Sequence, residues 1–319
     1  MSLKYQFQLI QAMRNYFNNQ GFLDVLTPPM VENPGMETHI HPFEVFSKLK
    51  NKSTDLYLHT SPEFMMKELL SKDEFEKIFT ISYCFRDEPT SPIHRPQFLM
   101  CEWYRKNERY EAIMTDVEQM ILSIQNELIK NSVPLKENFV KDDFQKVTVQ
   151  DLFQDILKID ILDYLDTKDL RKKIELDFKG VPLPSSQCTW DDYFFLLFLN
   201  EVEPFLINYK ALLLYEYPHH LAALSTLKAS DPRVCERFEL YIRGVEICNC
   251  FNELTDYDIQ SLRFKLQAAD KKSFYNYQLP DPNRFMATIK SGYPKSSGIA
   301  LGIERLLNSL VKTDTLFFD

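Results

Sequence analysis

The segment RFELYIRGVEICNCFNEL carries two carboxylates spaced to meet across a hairpin. With Arg243-Gly244 as a two-residue turn, Tyr241 faces Glu246, and Glu239 lies two residues before Tyr241 on the same face. Diagonal neighbours of this kind stand about 7–8 Å apart at Cα and repel unless a cation lies between them. Magnesium carried on nucleotide phosphates takes one or two carboxylates together with phosphate oxygens, so the pair suits Mg2+. A solvated sheet face carrying no ion fits the same spacing. Strict alternation puts Glu253 on the opposite face from Glu246. Both reach one site only if a bulge or strand end intervenes between Cys248 and Phe251.

Positive groups answer these acids. FRDEPTSPIHRPQF places Arg86 before, and His94 within, a loop much longer than the two to five residues of an ordinary hairpin turn. Arg305 lies three residues after Gly302 in GIALGIERLL. Arginine grips phosphate through two parallel N–H donors, although each arginine taken alone also fits a surface ion pair. Phe98, at the start of the return strand, suits either stacking on a base or a place in the core.

The elements that must hold these groups follow from periodicity. Leu3, Phe7, Ile10, Met13 and Phe17 predict one apolar face of a helix over 3–19, stopped at NNQG. FLDVLTPPMVE predicts a short strand broken by Pro28 and Pro29. DLYLHTSPEFMMKELLSK predicts a strand running into a helix that Thr60 or Ser61 caps, with Pro62 in its first turn. KIFTISYCFR and FLMCEWYR predict an antiparallel pair around the long loop. TDVEQMILSIQNELIKN, TWDDYFFLLFLNEVEPFL and DIQSLRFKLQAADKKSF predict helices, the second opened by Thr189 and Asp192 as a capping box. GIALGIERLLNSLVK predicts a strand turning at Gly302 into a last helix. Together these predict one α+β domain over 1–319, an antiparallel sheet flanked by helices.

Composition narrows the class. At 319 residues, 45% hydrophobic and 26% charged, the chain reads as a soluble globular protein. Its net charge of −9 argues against a broad nucleic-acid surface. Six cysteines form no CxxC pair, which predicts buried reduced thiols in a cytoplasmic protein rather than a zinc site. No apolar run reaches the ~18 residues of a membrane span.

These residues match a family. FRDE…HRPQF resembles motif 2 of the class II aminoacyl-tRNA synthetases, GIALGIERL resembles motif 3, and GFLDVLTPPM resembles motif 1, which lies at the dimer interface in that class. TSPEFMMKELL, EWYR and RFELYIRGVEICNCFNELTD resemble the lysyl-tRNA synthetase group. TSPE, MCEWYR and GIALG are most similar to its short branch, the elongation factor P–(R)-β-lysine ligase family. The likeness covers nearly the whole chain, which begins about one helix before motif 1. The expectation is therefore a class II catalytic domain with no anticodon-binding domain, and no tRNA as partner.

The resemblance implies residue roles. Arg86 and Arg305 are the catalytic arginines. Arg86 holds the α-phosphate, and His94 and Arg305 hold the outer phosphates. Asp87, Glu88, Phe98, Ile247 and Gly302 complete the ATP site, and Glu239 and Glu246 take Mg2+. The amino acid, (R)-β-lysine or lysine, is read by Glu63, Glu102 and Glu253, with Ser61, Pro62, Tyr104, Asn249, Phe251 and Ala300 shaping its pocket. Ala300 stands where lysyl-tRNA synthetases carry glycine, a methyl of difference that is worth ~1–3 kcal/mol of selectivity. The implied reaction is adenylation of the amino acid, then transfer to a lysine ε-amino group of elongation factor P, by a cytoplasmic homodimer. Three positions depart from the family pattern: Arg95 for asparagine, Gln97 for glutamate, and Cys250 for glycine, the last expected to add volume beside the amino-acid pocket. Two other readings remain: a lysyl-tRNA synthetase-like enzyme acylating tRNA or another acceptor, and an inactive regulatory paralogue.

Overall fold

A computed structural model describes residues 2–89, 95–184 and 188–312. The chain divides into two compact units, Met1–Asn138 with Glu253–Asp319, and Phe139–Asn252. In chain order the first unit opens with α1 (Ser2–Asn19), β1 (Leu23–Asp24), β2 (Met30–Val31), β3 (Glu44–Ser47), β4 (Lys52–Leu58), α2 (Glu63–Leu70), β5 (Lys77–Phe85), β6 (Gln97–Lys106) and α3 (Tyr110–Lys130). The second unit holds β7 (Phe144–Thr148), α4 (Val149–Leu157), α5 (Thr167–Asp177), α6 (Trp190–Leu197), β8 (Ala211–Tyr215), β9 (Leu227–Lys228), β10 (Asp231–Cys235), β11 (Arg237–Ile242) and β12 (Val245–Asn252). The chain then returns to the first unit through α7 (Tyr257–Tyr275), α8 (Asn283–Lys290), β13 (Ser296–Gly302) and α9 (Ile303–Leu310).

In the first unit β6 is the central strand, antiparallel to β5 on one side and to β13 on the other, with the short β1 parallel to β5. A smaller antiparallel sheet joins β2, β4 and β3. Helix α1 packs on this unit, but its inner face is rotated from the expected one. Leu9, Met13 and Phe17 are fully buried, whereas Phe7 is 55% exposed. Gln6, one residue earlier, is buried in its place and reaches toward Glu304. Phe17 stacks on Phe79 at 4.6 Å between centroids and packs against Trp103 at 5.1 Å. Helix α3 begins five residues before the expected start, at Tyr110. Asp116 fixes it beneath β6, accepting two 2.6 Å bonds from Arg105 and one from the Trp103 indole.

In the second unit β8 runs parallel to β7 and antiparallel to β11, and β11 pairs with β12. Its core gathers Phe153, Phe194, Leu197, Leu212 and Leu214 under α4 and α6. Thr189 and Asp192 form the expected capping box of α6. The β11–β12 turn also forms as expected. Ile242 pairs with Val245 and Tyr241 with Glu246, while Arg243 and Gly244 both take positive φ, 49° and 80°, the backbone of a two-residue hairpin turn. All six cysteines are free thiols, five of them buried. Among the described residues no helix is long and apolar enough to cross a membrane.

Candidate active site

The first unit holds all three acids expected to read the amino acid, Glu63, Glu102 and Glu253. Glu63 opens α2, where an anion is favoured at the helix N-terminus. The N-cap position falls on Pro62. Neither Thr60 nor Ser61 caps the helix, and the Thr60 hydroxyl donates to Pro34 O instead. Glu102 and Tyr104 sit on β6, and their cross-strand partners on β13 are Ala300 and Gly298. Ala300 is thus the direct neighbour of Glu102, as the pocket reading requires. Gly298 explains how Tyr104 is held. A Cβ there would lie 2.0 Å from Tyr104 Cε1 and 2.7 Å from Glu253 Oε1, so the ring lies flat across the glycine. From that position the Tyr104 hydroxyl donates to Glu102 Oε2 at 3.1 Å.

Glu102 is fully buried, and its Oε1 has no hydrogen-bond partner among the described residues. Burial, then the nearby charge of Glu63, pushes its carboxyl well above the usual range. Tyr104 is raised in the same way, by burial and then by Glu102. Glu253 is buried too, and burial outweighs its attraction to Lys67 to raise it.

Lys67, which the sequence reading passed over, lies at the centre of this group. It sits one helical turn after Glu63 and is only 2% exposed. Its Nζ is 2.6 Å from Glu63 Oε1 and 2.5 Å from Glu253 Oε2. Burial alone would lower its pKa; the two carboxylates reverse that and hold it raised. The i, i+4 spacing of Glu63 and Lys67 is visible in TSPEFMMK. That spacing normally marks an exposed helix pair, and nothing local signals its burial.

Arg86 follows β5 and lies over the Phe98 ring, 5.1 Å from its centroid, with Nε 3.4 Å from Thr60 O. Its backbone N–H donates to Pro96 O, closing the base of the loop. Asp87 is exposed and donates its N–H to His41 O at 2.7 Å; Glu88 beside it is half-buried. His94 lies outside the described residues. Gln97 is exposed at the start of β6, and Arg95 before it is half-buried. Gly302 closes β13 and precedes α9. A Cβ on it would meet Arg305 Cδ at an ordinary 3.6 Å, so packing within the chain makes no demand for glycine there. Glu304, next to Arg305 in α9 and 4% exposed, accepts the Leu99 N–H of β6 with both oxygens, at 2.9 and 3.1 Å. Burial raises the Glu304 carboxyl to about 7, against the lowering effect of the Leu99 bond.

The second unit carries the other expected residues. A bulge leaves Ile247 without a partner on β11: Tyr241 pairs with Glu246, but Leu240 pairs with Cys248 and Glu239 with Asn249. It falls one residue ahead of the expected window. It also reverses the alternation, so Glu246 shares a face with Asn249 and Phe251. Cys250 consequently points the other way and is fully buried opposite Phe238. The expectation that its side chain adds volume beside Asn249 and Phe251 is therefore corrected. Glu239 is buried and its oxygens are engaged. It is paired with Arg237, and its Oε2 accepts the hydroxyls of Tyr217 at 2.5 Å and Tyr241 at 2.7 Å. Arg237, also missed from sequence, donates to Asn249 Oδ1 at 3.0 Å and lies over the rings of Tyr217 and Phe251. Burial would lower its pKa, but Glu239 holds it raised. For magnesium, Glu246 suits a single carboxylate ligand beside phosphate oxygens, whereas Glu239 joins only if Arg237 or the tyrosines release an oxygen.

Chemically, the first unit offers a buried anionic pocket and an arginine on an aromatic face. The second offers carboxylates and an ordered amide. The family model for tRNA synthetases class II (D, K and N) matches residues 1–316. The chain is 31% identical over 310 residues to the elongation factor P–(R)-β-lysine ligase of Hamiltonella defensa, covering 97% of this chain and 90% of that protein. It is 30% identical to the protein of that name from Proteus mirabilis, covering 94% and 88%, and 32% identical to that of Buchnera aphidicola, covering 94% and 88%. The chain belongs to the class II tRNA synthetases (D, K and N) and, within them, to the family of the elongation factor P–(R)-β-lysine ligases: it is an ATP-dependent amino-acid ligase.

Proposed function

We propose that the chain activates (R)-β-lysine or lysine with ATP and transfers it to a lysine of elongation factor P. In the first step a carboxylate oxygen of the amino acid attacks the α-phosphorus of ATP. The bond to the β-phosphate oxygen breaks, and pyrophosphate leaves. In the second, a neutral lysine ε-amine attacks the acyl carbon of the adenylate. AMP leaves, an amide forms, and the amine loses a proton. No side chain is acylated; the protein positions the reactants and stabilises charge. Arg86 meets the α-phosphate, where negative charge builds. Arg305 and His94 hold the outer phosphates, and Phe98, Glu88 and Gly302 receive the adenosine. Glu246, joined by Glu239 only where Arg237 or a tyrosine releases an oxygen, would hold Mg2+, which would neutralise phosphate charge when bound.

The observation that carries this reading is Glu102, a fully buried carboxylate with an unpartnered oxygen, covered by Tyr104 and flanked by Ala300. A buried acid of this kind is costly without a cation, and an amino acid with two ammonium groups supplies one. We read both compact units as parts of one catalytic domain, since the family match runs through both. The net charge of −9 favours a protein acceptor over tRNA. The likeness of GFLDVLTPPM to motif 1 favours a homodimer, and six free thiols favour the cytoplasm.

ATP–pyrophosphate exchange with lysine, (R)-β-lysine and the other amino acids tests the reading. Exchange is expected with the two diamino acids, best with (R)-β-lysine, and its loss in Arg86→Ala. Equal or better exchange with a neutral amino acid overturns the substrate, and no exchange with any amino acid overturns the activity. Mass spectrometry of elongation factor P after incubation tests the acceptor.

A further inference from the structure

Two of the three carboxylates assigned to the substrate are already paired with Lys67, which leaves Glu102 as the acid with an unpartnered oxygen. A substrate with two ammonium groups calls for a second. Glu37, outside all the motifs quoted above, meets that description. It lines a small cleft in the first unit, with Asn33, Gly35, His59, Ser61 and Glu63. No cation lies within ion-pair distance of its carboxylate among the described residues.

Two independent features suit this cleft to a cationic donor. The first is Gly35, with φ +135°: a Cβ there would lie 2.6 Å from Glu37 Oε2 and 3.2 Å from Thr60 Oγ1. The glycine keeps that room clear for the carboxylate. The second is His59, 2% exposed. Its Nε2 bonds Tyr83 O at 2.7 Å, and a carbonyl only accepts, so Nε2 carries the proton. Burial lowers the pKa of the ring; in the neutral ring Nδ1 is then an acceptor, and it is buried with no hydrogen-bond partner among the described residues. An ammonium group donates to both kinds of acceptor. Arg86, the residue assigned to the α-phosphate, has its Nε 3.4 Å from Thr60 O, and Thr60 borders Gly35, which places the cleft toward the reacting end of the substrate.

We propose that Glu37 is a specificity-determining residue that receives the substrate ammonium nearest the reacting carboxylate, leaving the distal ammonium to Glu102. The inference rests on the diamino-acid reading above. Exchange kinetics of the whole chain test it with lysine, 6-aminohexanoate, which lacks the proximal amine, and norleucine, which lacks the distal one. In Glu37→Gln the KM for lysine is expected to rise about 10- to 100-fold, the size of a charged hydrogen bond. The KM for 6-aminohexanoate and for ATP should stay unchanged, discrimination against norleucine should persist, and Glu37→Asp should restore part of the loss. An equal rise for lysine and 6-aminohexanoate, a rise in the ATP KM instead, or no change overturns the role of Glu37 while wild-type exchange leaves the broader reading intact. Wild-type exchange with no diamino acid overturns both.

Discussion

Replacing Lys67 by methionine isolates the energetics of the acid cluster. Methionine keeps most of the volume and removes the charge, so packing contributes little. The ammonium lies 2.6 Å from Glu63 and 2.5 Å from Glu253, and the lysine is 2% exposed. Removing one partner from a buried pair typically costs about 3–5 kcal/mol, because the remaining charge is left uncompensated. In the wild type Lys67 is raised, so its contribution is complete below the ordinary lysine value and is lost only as pH rises through the folded one. In the variant Glu253 loses its cation, and its carboxyl, which burial already raises, rises further. The penalty is then present at pH 8 and is relieved as it protonates toward pH 5. Urea unfolding can follow this through Trp103, which lies in the same unit, in a Trp190→Phe background because the chain has only two tryptophans. The expected loss is about 3–5 kcal/mol at pH 8 and markedly less at pH 5, with Lys67→Met/Glu253→Gln more stable than Lys67→Met alone. A loss below about 1 kcal/mol at pH 8, or an equal loss at both pH values, refutes the reasoning.

Gly298→Ala forces a methyl to within 2.0 Å of the Tyr104 ring, itself only 3% exposed. The variant is expected to lose about 1–3 kcal/mol and to raise the KM for the amino acid but not for ATP; wild-type stability and KM would contradict the placement of Tyr104. Glu304→Gln removes a carboxyl that burial holds at about 7. A raised folded pKa contributes stability at low pH that is lost as pH climbs from the ordinary carboxyl value through about 7, roughly 3 kcal/mol in all. Urea titrations from pH 5 to 8 should show the wild type losing stability relative to the glutamine variant, and parallel profiles would exclude the shift.

Local chemistry made much of the architecture readable. The Arg243-Gly244 turn, the Thr189–Asp192 capping box and the turn of β13 into α9 at Gly302 each depend on residues adjacent in the chain, and each forms as expected. Features that depend on neighbours distant in sequence were not readable. The periodicity of α1 includes Phe7 in the apolar stripe, but which flank is covered is decided by β1, α3 and α9, and Phe7 is left out. Thr60 has the right chemistry for a cap, but Pro34 O competes for its hydroxyl. At the site, Glu63, Glu102 and Glu253 were found through their motifs. Lys67, Arg237 and Glu37 were not, because burial rather than residue type turns an ordinary ion pair or a lone acid into part of a pocket.

The bulge at Ile247 has a consequence for sequence length. Because a strand alternates strictly, each residue from Asn249 onward owes its side to the one extra residue at 247. Most substitutions along β12 exchange one side chain for another and leave the rest in place. Deleting a single residue between Glu246 and Cys248 would restore a regular ladder and, in doing so, turn Asn249 and Phe251 over while bringing Cys250 to the polar face. This hairpin should therefore tolerate changes of residue type far better than a change of one in its count, and relatives that keep the same face should keep the same number of residues between the turn and the asparagine.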